Sequence, residues 1–128
     1  MPVGKWIKWY ENGQIKEEEN YNKGGNWHGK WTEWNENGQK LRERNYKDDK
    51  LDGKKTWWHG NGQKEQERHL KDDKLDGKFT IWYENGQIEI EGYHKDNKRD
   101  GKWTWRHENG QIKSEKIYKD GVCISGDC

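Results

Sequence analysis

The side chains with the clearest binding chemistry in this sequence are tryptophans that recur at a nearly constant spacing. The chain has ten tryptophans, and one row consists of Trp9, Trp34, Trp58 and Trp82, with Arg106 at the fifth equivalent position. Exposed Trp and Arg side chains are the usual hot spots of protein interfaces. We therefore predict that Trp9, Trp34, Trp58, Trp82 and Arg106 form a binding row.

Catalytic and metal-binding chemistry has little support in the sequence. The two serines, Ser114 and Ser125, lie outside a nucleophile elbow, and the five histidines lack a metal-ligand spacing such as H-E-x-x-H. His59 and His107 occupy a position where other copies of a repeated unit carry tyrosine. Paired carboxylates recur in every copy, which is typical of a structural feature. We predict no catalytic residue, no metal and no cofactor.

Acidic loops resemble a calcium motif only superficially. The stretch 72–77 reads D-D-K-L-D-G, but a lysine takes the third ligand position and an aromatic residue follows where a carboxylate is needed. A solvated turn is the expected structure.

Two further ligand classes follow from tryptophans beside charged side chains. Single-stranded nucleic acid is held by aromatic platforms with interleaved lysines. Here a row of lysines is matched by a row of glutamates, and the net charge is +1, so we expect no nucleic acid partner. Carbohydrate or choline-like cations, which bind in aromatic cages, are the alternative to a protein partner.

A tight-turn signal organises the elements that carry these residues. The stretch Glu11–Gln14 returns almost unchanged at 36–39, 60–63, 84–87 and 108–111, with a period of 25 residues once and 24 thereafter. Its Asn-Gly dipeptide predicts a two-residue type I′ hairpin turn. Polar segments rich in Asp and Gly separate the hairpins, and we expect them to be reversing loops.

The two halves of each unit have the composition of short strands, one rich in aromatics and Thr, the other in Glu and Ile. Hydrophobic residues make up 27% and charged residues 38%, too few apolar residues for two packed layers. The prediction is an all-β fold: a single-layer, elongated antiparallel meander of five hairpins with about ten strands. It is one domain, 1–128, with repeats near 4–28, 29–52, 53–76, 77–100 and 101–121 and a C-terminal cap at 122–128 folded over the last hairpin.

Pairing across a two-residue turn predicts which side chains share a face of the sheet. The more apolar face would carry Trp6, Tyr10, Ile15, Phe79, Ile81, Tyr83, Ile88, Ile90, Trp103, Trp105 and Ile112. The opposite face would carry the binding row, a threonine row (Thr32, Thr56, Thr80, Thr104) and a glutamate row (Glu18, Glu43, Glu67, Glu91, Glu115). Neither face is expected to be fully dry.

The ends of the chain raise questions of redox state, location and association. Cys123 and Cys128 either close a small loop or stay reduced, and the spacing leaves both states open. We find no export signal and no stretch of about 18 apolar residues, so we expect a cytoplasmic protein with no membrane span, although a domain cut from a secreted precursor would look the same. The charge-rich surface favours a monomer, with the edge at 5–10 the least covered.

The units resemble MORN repeats of the bacterial variant, in which D-G-x-W-x-x-Y-x-N-G-x precedes a Glu-containing strand and a closing Tyr. The clearest matches are Asp76–Phe79 with Tyr83, Asn85–Gln87 and Glu91, and Asp100–Trp103 with Asn109–Gln111, Glu115 and Tyr118. The resemblance covers about residues 4–121. Departures are Lys55 for an aromatic, Arg106 for Trp, and Leu70 or His94 for the closing Tyr.

This resemblance implies a non-enzymatic scaffold that binds another protein. In bacteria, such repeats are associated with antitoxin or immunity proteins, which would make the partner a toxin.

Overall fold

Each half of the repeated unit alternates large and charged side chains with a period of two, which favours strands. The computed structural model describes residues 2–128, and within them twelve strands form one antiparallel sheet. The bounds are β1 (Gly4–Trp9), β2 (Ile15–Tyr21), β3 (Gly29–Trp34), β4 (Lys40–Lys47), β5 (Lys50–Leu51), β6 (Gly53–Trp58), β7 (Lys64–Lys71), β8 (Lys74–Trp82), β9 (Ile88–Lys95), β10 (Lys98–Arg106), β11 (Ile112–Lys119) and β12 (Val122–Gly126).

Neighbouring strands in the sheet are neighbours in the chain. The order is β1-β2-β3-β4-β6-β7-β8-β9-β10-β11-β12, and short β5 pairs with the end of β4. The predicted all-β meander in one elongated layer is confirmed. The sheet has two strands more than the ten expected. One is β5, which is separate from β6, whereas β8 and β10 continue unbroken through the equivalent segments. The other is β12 in the C-terminal segment.

The Asn-Gly turns are three-residue loops rather than the predicted two-residue type I′ turns. In the first turn the Gly13 N–H donates to the Tyr10 carbonyl (3.0 Å) and the Tyr10 N–H to the Gln14 carbonyl (2.8 Å). Gly13 has φ of 87°, and Asn12 is not among the residues with positive φ. This is a type I turn closed by a left-handed glycine. The Asn12 carboxamide oxygen, which accepts the Gln14 N–H (2.9 Å), stabilises that form.

The two-residue turns with two left-handed residues lie in the segments that we expected to be longer loops. Both central residues have positive φ at Asp48–Asp49, Asp72–Asp73, Asp96–Asn97 and Asp120–Gly121. Asp and Asn tolerate this conformation better than other side chains. Strands therefore continue through most of the polar segments, with bulges near Gly77 and Gly101.

The longer Asn-Gly loops change which side chains share a face. Ile15 pairs with Trp9, Ile88 with Trp82, and Ile112 with Arg106. The expectation that these isoleucines lie on the apolar face is wrong, because the third loop residue shifts the register. They lie with the predicted binding row.

The threonine and glutamate rows do share a face, since Thr56 pairs with both Glu43 and Glu67. We call it the Thr–Glu face. The opposite side, which carries Trp31, Trp57, Phe79 and Trp103, is the aromatic face.

A buried cluster lies on the aromatic face in the last two repeats. Trp103 is 1% exposed and packs with buried Phe79 and Tyr118, and around them lie Ile81, Ile90, Trp105 and Cys123. The Trp103 indole lies over Gly92 and donates to the Tyr93 carbonyl (3.0 Å). This end of the aromatic face is therefore shielded from solvent, whereas Trp6 at the other end is 55% exposed.

Three of the four pairs of neighbouring Asn-Gly turns are hydrogen-bonded to one another, and within residues 2–128 the second and third turns have no such bond. The Tyr10 and Tyr83 hydroxyls donate to the carbonyls of Trp34 and Arg106, both at 2.6 Å. The asparagines of three turns donate to the backbone of the next turn along: Asn12 to Glu36 (3.0 Å), Asn61 to Glu84 (2.8 Å) and Asn85 to Glu108 (2.9 Å). Each such asparagine thus closes its own turn and binds its neighbour.

The turns at the other ends of the strands are linked to one another in the same manner. The Asp73 N–H donates to the Leu51 carbonyl (2.8 Å), and the Asp73 carboxylate accepts the Leu51 N–H (2.7 Å). Asp49 with Trp27 and Asn97 with Leu75 repeat this two-bond arrangement. In three of these turns the second central residue, Asp or Asn, therefore makes the two hydrogen bonds that a residue of a paired strand would make.

The C-terminal segment lies in the plane of the sheet rather than over the last hairpin. Strand β12 pairs with β11 and covers its edge, and Cys123 and Cys128 form a disulfide. Val122 and Ile124 remain 63% and 59% exposed.

Replacing Asn85 by Asp should weaken the link between turns. Asp keeps the acceptor for Gln87 but cannot donate to the Glu108 carbonyl, so we expect a loss of about 1–2 kcal/mol in the free energy of unfolding by urea. Asn109→Asp is the matched control, because the Asn109 side-chain amide reaches only Gln111 of its own turn. Equal effects of the two variants would contradict this role.

Replacing Gly92 by Ala should disrupt the buried cluster. An added Cβ would lie 2.2 Å from Trp103 Cδ2, so we expect a loss of about 2–3 kcal/mol or more. Gly60→Ala is the control, since a Cβ there meets no atom within 4 Å. Thermal unfolding followed by near-ultraviolet circular dichroism measures both, and a tolerated Gly92→Ala would argue against this packing.

Candidate functional site

The predicted binding row lies on one face, with one member per hairpin. Trp9, Trp34, Trp58, Trp82 and Arg106 are the last residues of β1, β3, β6, β8 and β10, directly before the Asn-Gly turns. Consecutive members are two strands apart, or about 9–10 Å. Hydrogen bonds between three of the four pairs of neighbouring turns help to fix the positions of these side chains.

Rings in the row differ in exposure and in their cation contacts. Trp9 is 59% exposed, and Trp34, Trp58 and Trp82 are half-buried. Lys40 lies over the Trp58 ring (5.5 Å) and Lys64 over the Trp82 ring (6.0 Å). Lys40 pairs across the strands with Trp34, and Lys64 with Trp58, so rings and ammonium groups alternate along this stretch.

Arg106 is held in place at the C-terminal end of the row. Its guanidinium donates to Glu91 Oε1 (3.3 Å) and to the Gly110 carbonyl (3.2 Å). A cleft of about 330 Å³ lies beside it, lined by residues that include Glu91, Lys102, Thr104 and Ile112. The row therefore ends in a small polar recess.

Glutamates on the Thr–Glu face form ion pairs with lysines. The threonines are 4–6% exposed, and Thr32 donates to Glu43 (3.2 Å). Glu43 pairs with Lys40 (3.1 Å) and Lys30 (3.6 Å), and Glu67 with Lys64 (2.9 Å) and Lys54 (3.6 Å).

Burial alone would raise the pKa of Glu43 and Glu67. The hydrogen bond and charge of Lys40 or Lys64, with the charge of Lys30 or Lys54, more than offset burial, so both pKa values lie below the usual range. Both carboxylates are therefore stabilised in their ionised form by the lysines beside them.

Cations on the aromatic face form a feature that the sequence prediction missed. The guanidinium of Arg44 lies 4.3 Å from the Trp31 ring centre, that of Arg68 lies 5.5 Å from Trp57 and 5.3 Å from Phe79, and that of Arg99 lies 4.7 Å from Trp103. Arginine stacking on rings is favourable in such positions. The alternation of Arg42 and Arg44 along β4 is the sequence signal from which these cations could have been predicted.

Lys55, noted in the sequence as a departure from the repeat, lies among these cations. Its ammonium is 4.7 Å from the Trp57 ring centre. Burial, together with the charges of Arg44, Arg68 and Arg42, lowers the pKa of Lys55. We call Arg42, Arg44, Lys55 and Arg68 the cation cluster.

The described residues 2–128 contain no group of three or more His, Cys, Asp or Glu placed to hold a metal ion. In the calcium-like stretch, the Asp73 carboxylate accepts the Leu51 N–H. His94 packs edge-on against Phe79 and Trp103, and burial with the charges of Arg99 and Arg68 lowers its pKa. No helix within these residues is long and apolar enough to cross a membrane.

Comparison with known families gives a match to a model described as MORN repeat variant. It covers residues 2–23, 27–48, 51–72, 75–96 and 99–120, so each hairpin with its turn falls in one match. No curated protein matches the chain.

The depressed pKa values of Glu43 and Glu67 predict a pH dependence of stability. A lowered folded pKa stabilises the fold above the unfolded value of about 4.3, and this contribution is lost as pH falls through the lower folded value. Glu67→Gln should therefore be less stable than the parent at neutral pH and equal to it in acid. Urea unfolding across this pH range measures the difference.

Glu65→Gln is the control, since exposed Glu65 has no ion-pair partner within residues 2–128. The prediction would be contradicted if the free energy of unfolding changed with pH in the same way in the parent and in Glu67→Gln.

Proposed function

Because the chain belongs to the MORN repeat variant family, we propose that it is a non-catalytic scaffold that binds another protein through the Thr–Glu face. The observation that supports this proposal is the row of Trp9, Trp34, Trp58, Trp82 and Arg106, one per hairpin on one face. Four steps of two strands give the row a length of roughly 38 Å. A standard protein interface fits on such a surface.

The row suits binding because little order has to be gained on association. Its members end strands whose turns are hydrogen-bonded to neighbouring turns. Trp9 presents a large exposed ring, and Arg106 is held by Glu91. Rigid side chains lose less conformational entropy on binding than mobile ones do.

A carbohydrate or choline-like ligand is less well supported. Lys40 and Lys64 lie over the rings of Trp58 and Trp82, where a ligand cation would have to displace them. The more specific version of the protein-binding proposal is an antitoxin whose partner is a toxin. The antitoxin role, a cytoplasmic location and a monomeric state stay predictions.

The test compares tryptophans on the two faces of the sheet. A protein partner is first identified by affinity capture, and its affinity for the parent, Trp9→Ala, Trp58→Ala and Trp6→Ala is then measured with purified components. Trp6, 55% exposed, pairs with Glu19 on the aromatic face and serves as the control. We expect Trp9→Ala and Trp58→Ala to weaken binding by roughly tenfold or more, and Trp6→Ala to bind like the parent.

Loss of binding in Trp6→Ala alone would assign the partner to the other face. A shift in tryptophan fluorescence on adding choline or an oligosaccharide, abolished in Trp9→Ala, would favour the small-ligand alternative.

A further inference from the structure

We propose that the cation cluster binds the carboxylates of an acidic protein segment, which gives the sheet a second recognition surface on the aromatic face. The cluster consists of Arg42 and Arg44 on β4, Lys55 on β6 and Arg68 on β7. This surface goes beyond the Thr–Glu face, and it includes none of the predicted binding row.

The pair of Lys55 and Arg68 differs from the equivalent cross-strand pair of every other repeat. At this position the other repeats place a ring opposite a cation, a carboxylate or a glycine: Trp31–Arg44, Trp103–Lys116, Trp6–Glu19 and Phe79–Gly92. In the third repeat Lys55 pairs directly with Arg68. Like charges directly opposite each other destabilise a sheet. A destabilising pair at half-buried positions is expected where function requires it.

The carboxylates nearest to the cluster, Glu33 and the more distant Glu19, are outnumbered by its four cations. Glu33 accepts hydrogen bonds from Arg42 Nε (2.9 Å) and an Arg44 terminal nitrogen (2.7 Å). No carboxylate in residues 2–128 makes an ion pair with Lys55 or Arg68. The cluster thus has four cations and one carboxylate ligand, whereas the whole chain has a net charge of only +1.

The cations are held in place before any partner binds. Arg68 lies between the rings of Trp57 and Phe79, and its Nε donates to Gln66 Oε1 (2.6 Å). The Arg44 guanidinium stacks on the Trp31 ring (4.3 Å) and donates to Glu33 (2.7 Å). Guanidinium groups fixed in this way bind carboxylates with little loss of side-chain entropy.

The arrangement fits an extended acidic segment better than a small anion. Glu33 already occupies Arg42 and Arg44 as a carboxylate ligand, so this chemistry suits the cluster. The cations span from β4 across β6 to β7, which is about 10 Å. Alternate side chains of an extended segment are about 7 Å apart, so two carboxylates reach across this span, whereas one phosphate does not.

A capped hexaglutamate peptide is the probe, titrated calorimetrically at low ionic strength into the parent, Lys55→Met and Lys116→Met. Lys116→Met removes the same charge from the same face, where Lys116 lies over Trp105. We expect Lys55→Met to weaken binding by roughly tenfold or more and Lys116→Met to leave it nearly unchanged. Because Lys55 is desolvated among like charges, Lys55→Met should also raise the melting temperature.

Combined weaker binding and higher stability is the signature of a binding residue, since loss of a purely structural contact would lower stability. Equal weakening in both variants, or no peptide binding by the parent, would overturn the proposal. Lys55-dependent binding to vesicles containing anionic phospholipid, without peptide binding, would also overturn it in favour of a lipid headgroup. Trp9→Ala should bind the peptide like the parent. A failure of the proposed partner binding at the Thr–Glu face can therefore be distinguished from a failure of peptide binding at the cation cluster.

Discussion

Hydrogen bonds between the turns of successive hairpins are the interaction on which this structure depends. A single-layer sheet lacks a second layer to bury its faces, so each hairpin must gain stability from its two neighbours. At one end of the strands, the turns are linked by the side chains of Asn12, Asn61 and Asn85. At the other end, they are linked by the side chains of Asp49, Asp73 and Asn97. These links join equivalent positions of adjacent repeats, which is why the sequence must keep its period.

The same constraint explains why both faces tolerate so much charge. On the Thr–Glu face, buried threonines and lysine–glutamate pairs fill the space between half-buried rings. On the aromatic face, packing changes along the array, from the ion pairs of Glu33 to the dry cluster around Trp103. The two candidate binding surfaces are a row of four tryptophans and Arg106 at the strand ends, and a cation cluster in which Lys55 stands opposite Arg68.

Much of the fold follows from the sequence because the period and the strand composition are local signals. The placement of Trp34, Trp58 and Trp82 with the threonine row also follows from simple alternation along each strand. The turn types could not be predicted from the sequence in this way. Asn-Gly suits both two-residue and three-residue hairpin loops, and the choice depends on the hydrogen bond from the Gln14 N–H to the Asn12 side chain. One additional loop residue then moved Ile15, Ile88 and Ile112 to the other face. The cation cluster was missed because it needs the register that places Lys55 opposite Arg68.

Amide hydrogen exchange followed by NMR tests the links between repeats most directly. The N–H groups of Trp27, Leu51 and Leu75 donate to the side chains of Asp49, Asp73 and Asn97 in the next repeat. If these links hold the array together, the three amides exchange as slowly as amides within paired strands. Exchange at the rate of an unstructured peptide, with neighbouring strand amides protected, would show that the repeats are held together without them.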